Sequence, residues 1–126
     1  MASKIIWEKH GVLFRHSDTV TGEEVAKLND IMYADPRFDT IRYQISDYTQ
    51  VKNNLVGLSS ARIIGTLDKS SAIWNHSMLN IVITTDKDFI PVIDAYFKTL
   101  EGTGWECKIF ATPEEAYNWI HRQLRM

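Results

Sequence analysis

Apolar and polar positions along this chain switch between two periods. Near the start, Ile5 and Trp7 alternate with Ile6 and Glu8, and after His10-Gly11, Val12, Phe14 and His16 alternate with Leu13 and Arg15. Period-two alternation on both sides of a glycine turn predicts a β-hairpin over Lys4 to Ser17. Thr21-Gly22-Glu23-Glu24 is a capping box, in which threonine and the glutamate three residues on each cover a backbone N–H that the helix start leaves open. Val25, Leu28, Ile31 and Met32 follow at helical spacing and predict a helix over Gly22 to Ala34. Asp35-Pro36 closes it, because proline disfavours helical geometry in the residue before it.

Thr40 to Ser46 reads as the next strand, with Ile41, Tyr43 and Ile45 on one face, Asp47-Tyr48-Thr49 beyond its end, and an irregular stretch over Val51 to Val56. A helix starting between Leu55 and Ser59 runs to about Trp74, burying Leu58, Ala61, Ile64, Leu67 and Ala72, with Ile63 widening the stripe. Gly65 inside it costs about 1 kcal/mol relative to alanine, which points to close packing there. Met78 to Thr84 is almost continuously apolar, the pattern of a strand covered on both faces at the centre of a parallel sheet. Thr85-Asp86 caps a helix over Lys87 to Leu100, with Pro91 near the first turn and Phe89, Ile93, Tyr96, Phe97 and Leu100 inward. Gly102-Thr103-Gly104 stops it, and Trp105 to Phe110 is the last strand. Thr112-Pro113-Glu114-Glu115 starts a final helix with Ala116, Ile120 and Leu124 inward. The order ββαβαβαβα predicts an α/β fold: a mixed, mostly parallel sheet flanked by helices, with the opening hairpin as an antiparallel edge.

Composition narrows the class. The chain has 126 residues, 44% hydrophobic and 24% charged, which excludes a disordered chain and fits one domain over 1–126. A net charge of -2 leaves no basic excess for phosphates, so nucleic acid is not an expected partner. The single cysteine, Cys107, precludes an intrachain disulfide and is expected to be an inert strand residue. No apolar stretch approaches the roughly 20 residues of a transmembrane helix. The first apolar run, Ile5-Ile6-Trp7, breaks at Glu8, short of a secretory signal, so a cytoplasmic location is expected. Asn75-His76-Ser77 matches a glycosylation sequon, which has no role without secretion.

Catalytic patterns are not found. The six glycines form no phosphate loop, and Leu58-Ser59-Ser60-Ala61 lacks the glycines of a nucleophile elbow. His10, His16, His76 and His121 have no metal-ligand spacing, and Glu23-Glu24 and Glu114-Glu115 sit where acids favour a helix start. No catalytic residue, metal or cofactor is therefore expected. The binding candidates are Asp47, Thr49, Thr84, Thr85 and Asp86, read as lying beyond the carboxyl ends of parallel strands, where ligands of open α/β sheets bind. Ser59 and Ser60 are candidate phospho-acceptors, because a phosphate at a helix start meets the positive end of the dipole.

Several stretches resemble one family. Val20-Thr21-Gly22-Glu23-Glu24-Val25 and Asp35-Pro36-Arg37-Phe38-Asp39 look like the first-helix region of small bacterial SpoIIAA-like (STAS-like) proteins. Tyr43-Gln44-Ile45-Ser46-Asp47-Tyr48-Thr49, Leu67-Asp68-Lys69-Ser70-Ser71-Ala72 and Pro113-Glu114-Glu115-Ala116-Tyr117-Asn118-Trp119-Ile120 resemble later elements, in the same order over nearly the whole chain. The resemblance implies the SpoIIAA-like fold and a non-enzymatic regulatory module that binds a protein partner. In the founding members, phosphorylation of a serine in an Asp-Ser-Ser-Gly-type segment switches that binding. This chain departs there: Ser59-Ser60 comes several residues late, with no aspartate before it and no glycine after it. The fold also resembles lipid-carrying CRAL-TRIO domains. That likeness, with the apolar helix around Phe89, Ile93, Tyr96 and Phe97 and with Trp74, Trp105 and Trp119, implies as an alternative a carrier of a small hydrophobic ligand that touches membranes peripherally. A homodimer is a further expectation.

Overall fold

A computed structural model describes residues 3–125. Its elements are β1 (Ser3–Trp7), β2 (Gly11–Val20), α1 (Gly22–Ala34), β3 (Tyr43–Asn54), α2 (Leu58–Ser71), β4 (Leu79–Ile83), α3 (Ile90–Thr99), β5 (Glu106–Phe110) and α4 (Pro113–Leu124). Short 3-10 turns at Pro36–Asp39 and Lys87–Phe89 complete them. The strands form one sheet in the order β1-β2-β3-β4-β5, with β1 antiparallel to β2 and the remaining pairs parallel. This is the predicted order of elements, and β4 is buried at all five positions, as its apolar run requires.

Strand alternation divides the core into two faces. Leu13, Ile45, Ile81 and Ile83 pack against Ala116 and Ile120 of α4. Val12 and Phe14 meet Leu28 and Met32 of α1 on the other face, while Tyr48 and Val82 meet Ile64 of α2 and Ile93 of α3. The threonine half of each capping box forms: Thr21 accepts from Glu24 N, and Thr112 from Glu115 N.

Three sequence expectations are corrected. First, β2 and β3 run on to Val20 and Asn54 instead of ending at Ser17 and Ser46. They stay paired through two register shifts, between Arg15 and Ser17 and between Asp18 and Thr19. Asp18 turns left-handed at the second (φ 56°), a conformation aspartate tolerates. Bulges of this kind break the alternation that marks a strand, so the pairing is hidden in the sequence. Asp47 and Thr49 consequently lie within β3, not beyond it.

Second, α2 ends at Ser71, short of Trp74. Third, Leu58, Ile63, Leu67 and, on α1, Ile31 are exposed. A strict three-residue spacing slips about 60° per step around an α-helix, so Leu58 and Leu67 fall on opposite sides and cannot share one stripe. The face that does turn inward is Ala61, Ile64, Gly65, Asp68 and Ser71, narrow and mostly small. It admits α3 very closely: a Cβ on Gly65 would stand 1.9 Å from Thr99 Oγ1 and 2.9 Å from Thr99 Cβ.

Gly65→Ala is therefore expected to destabilise the protein by about 1–3 kcal/mol, although alanine is the better helix former. Adding Thr99→Ala should return part of the loss in chemical denaturation. A neutral or stabilised Gly65→Ala would refute the close approach.

Candidate functional site

Helix α2 buries a carboxylate and exposes Leu58, Ile63 and Leu67, and both features need an account. Asp68 is fully buried near the middle of the layer formed by α1, α2 and α3. Tyr33 of α1 donates its hydroxyl to Oδ1, Tyr96 of α3 donates to Oδ2, and Asn29 Nδ2 of α1 donates to Oδ1 at 3.4 Å. The Tyr96 hydroxyl in turn accepts from Asn80 Nδ2 of β4 at 2.8 Å. Burial pushes the Asp68 carboxyl up to about 6, against the pull of the two tyrosine hydrogen bonds. Burial and the Asp68 charge hold both tyrosines protonated, as donors. The neighbouring Cys107 thiol is pushed up to about 12 by burial, which makes it inert at neutral pH, as its strand position implied.

Gln44, Ser46 and Tyr48 alternate along β3 and face the same helices. They line a cavity of about 40 Å³ whose walls include Val25, Val56, Ile64, Val82 and Ile93. Gln44 Oε1, Asn80 Oδ1 and His16 Nε2 are buried without a hydrogen-bond partner among the described residues. That volume holds about two or three waters, far less than a lipid tail, so the carrier expectation gains no support from it. His16 Nδ1 lies 2.8 Å from Ser3 Oγ, and the ring stacks on Tyr48 at 4.6 Å. Burial pulls its pKa down to about 4, with Asp47 opposing, so the ring is neutral near pH 7. The Ser3–His16 contact is that of a nucleophile and its base, but both side chains are buried and neither lines the cavity.

The strand-end candidates come near one another, since Asp47 pairs with Ile83, the residue before Thr84. Their hydrogen bonds are local. Asp47 accepts from Thr49 N at 2.8 Å, Thr84 Oγ1 from Asp86 N at 3.1 Å, and Asp86 from Asp88 N at 3.0 Å, capping the 3-10 turn that leads into α3. Asp47 and Thr84 are buried, whereas Thr49, Thr85 and Asp86 are exposed. None of the five lines the cavity beside Gln44. Among the described residues no group of three His, Cys, Asp or Glu side chains could hold a metal ion. No helix among them is long and apolar enough to cross a membrane.

The two candidate serines differ. Ser59 is exposed in the first turn of α2, where Gly57 supplies no side-chain cap and no acid balances the dipole. Ser60 is wedged against α1, with its Oγ 2.1 Å from where a Cβ on Gly22 would stand.

The exposed hydrophobic side chains fall in one stretch of the sequence. Every large one among the described residues falls between Ile31 and Trp74: Ile31, Leu55, Leu58, Ile63, Leu67, Ile73 and Trp74, the last two 68% and 72% exposed. Leu67 and Trp74 border a shallow groove of about 460 Å³ between α1 and α2, with Tyr33 and Phe38 in it and Asp30 and Asp39 along the α1 side. The sequence reading missed both this face and the Asp68 hub. A carboxylate inside an aliphatic helix pattern, with two tyrosines on neighbouring helices, was the available signal for the hub.

No protein-family model and no curated protein matches the chain. Solved structures do. The anti-sigma factor antagonist SpoIIAA in its unphosphorylated form is 12% identical, with 95% of this chain and 98% of that one covered and a TM-score of 0.58. The phosphorylated form of SpoIIAA, described as a Bacillus cell fate determinant, is 14% identical, covering 94% and 99%, with a TM-score of 0.60. An uncharacterised protein from Shewanella loihica PV-4 with a SpoIIAA-like fold is 17% identical, covering 94% and 91%, with a TM-score of 0.50. The chain has the SpoIIAA-like fold, as the resemblance in the sequence implied.

His16 and Asp68 give opposite pH dependences. His16 is held down from 6.5 to about 4, so acidification through that range protonates the unfolded chain alone and costs about 3 kcal/mol of stability. Asp68 is held up from 3.8 to about 6, so its contribution is complete below 3.8 and about 3 kcal/mol is lost as pH rises through 6. Between about pH 4 and 6 the two act in opposite directions. Denaturation midpoints of the natural chain should be nearly flat there, whereas Asp68→Asn should expose the His16 limb and lose about 2–3 kcal/mol from pH 6.5 to 4. A flat profile in that variant would rule out the compensation.

Proposed function

We propose that this SpoIIAA-like domain is a non-enzymatic regulatory module that binds a protein partner through the outer face of α1 and α2. One observation carries the reading: Leu67 and Trp74 border an open groove with Tyr33 and Phe38 between α1 and α2, and Ile63, one turn before Leu67, is exposed on the same side of α2. Single exposed aliphatic residues need no explanation, but a contiguous set on adjoining helices is what interaction sites expose. The fold likeness to an anti-sigma factor antagonist supports the same class of function.

Ser59 is the regulated position in this reading. It is open to a modifying enzyme, and Ile63, one turn further along α2, is exposed on the same side. A phosphate there would be stabilised by the helix dipole and would place about two negative charges beside side chains that a partner covers.

The reading is tested by placing a photo-crosslinking amino acid at Ile63, Leu67 or Asn118 and irradiating living cells. Ile63 and Leu67 should yield one shared adduct, Asn118 on the exposed side of α4 should yield none, and Ser59→Glu should lower the yield from Ile63 several-fold. Equal adducts from Asn118, or none from α2, would discard it.

A further inference from the structure

The groove between α1 and α2 carries charge of one sign. Its charged lining residues are Asp30 and Asp39, both exposed, and the rest of its lining is aromatic, leucine or serine. Neither acid is in an ion pair among the described residues, where Arg37 with Asp35 is the only one. The cations close by in the chain turn elsewhere. Arg37 is held by Asp35 and lies 4.1 Å over the Trp7 ring, and Lys69 lines the other flank of α2 with Thr66 and Ile73. Beside the two acids stand aromatic rings. Trp74 is largely exposed, and Tyr33 is half-buried. Tyr33 is held in place by its hydroxyl bond to Asp68 and by edge-on packing with Phe38 at 5.4 Å, so little of its freedom is left to lose when a partner arrives. Arginine is the side chain that suits both surroundings. Its planar guanidinium pairs with carboxylates, stacks on aromatic rings, and is less strongly hydrated than an ammonium. Leu67 and Ile63 continue the apolar surface along α2, over more area than a free guanidinium or amine covers. The occupant that fits is therefore a stretch of protein.

We propose that the groove docks a basic and apolar segment of a partner protein, with an arginine that meets Asp30 and Asp39 beside Trp74 and a large apolar side chain next to it that covers Leu67. This rests on the interaction-module reading and specifies its partner. Burial of Leu67 and Trp74 supplies the affinity, and the two carboxylates supply discrimination, since an acidic segment would be repelled there. The regulated position lies at the other end. Ser59 is eight residues before Leu67, about 12 Å at helical rise, which exceeds a Debye length at physiological salt. A phosphate on Ser59 acts on the Ile63 end of the contact and leaves the acidic end unchanged.

The test uses two short synthetic peptides with identical apolar positions, one carrying arginine and the other glutamate beside them. Binding is read from amide shifts across α1 and α2 in the intact chain. The arginine peptide should bind at least about tenfold more tightly at low salt, with the preference shrinking as salt rises. Asp30→Asn with Asp39→Asn, both at exposed positions, should remove most of the preference, and Asp30→Lys with Asp39→Lys should reverse it. Trp74→Ala should weaken the arginine peptide while the amide shifts of the sheet stay native. Equal affinities, binding by neither peptide, or an unchanged preference in the charge-reversed variant would overturn the proposal. It would equally fall if free arginine bound as tightly as the arginine peptide, or if a second copy occupied the face in sedimentation. The two readings fail separately. If the charge reversal leaves the adduct from Leu67 intact, the module stands and the basic segment does not.

Discussion

One carboxylate organises the layer of helices above the sheet. Asp68 receives hydrogen bonds from α1 and α3, and through Tyr96 it reaches Asn80 on β4. An isolated ionised carboxylate in an apolar interior costs far more than a domain's net stability, so the position tolerates charge only because donors converge on it. Around it α2 contributes Ala61, Gly65 and Ser71, which give little apolar area. Small residues bring the helices together, and directional bonds to one acid set how they sit.

The sheet answers in kind. Gln44, Asn80 and Cys107 lie side by side across β3, β4 and β5. Most sheets carry aliphatic residues where a helical layer covers them. Here the covered row is polar, and its unpaired oxygens, Gln44 Oε1 and Asn80 Oδ1, lie under the helices joined by Asp68. Polar interiors of this kind favour one arrangement over its near neighbours, because a shifted helix would leave several groups unpaired at once.

Element order, caps and the fold were legible in the sequence because each rests on local chemistry. Thr21 and Thr112 mark their own helix starts, and the run Leu79 to Ile83 declares a central strand. What was not legible depended on pairing at a distance. The length of β3 is set by β2 across two bulges, and no residue in 47–54 announces it. The outward turn of Leu58, Ile63 and Leu67 follows from α2 burying a narrow face of mostly small residues around Asp68, which inverts the usual inference from side-chain size to burial. The same inversion hid the candidate site, since the residues expected to be core are those that form it.

The long pairing of β2 with β3 has its own consequence. Beyond Asp47 the strand has outrun β4, so from Thr49 to Asn54 one edge of its backbone has no neighbouring strand among the described residues. An edge of that length is an invitation to add a strand from another molecule and to grow. Two bulges twist it out of flat register, and Lys52 sets a charge on it. The irregularities that obscure this stretch in the sequence are also its defence against aggregation.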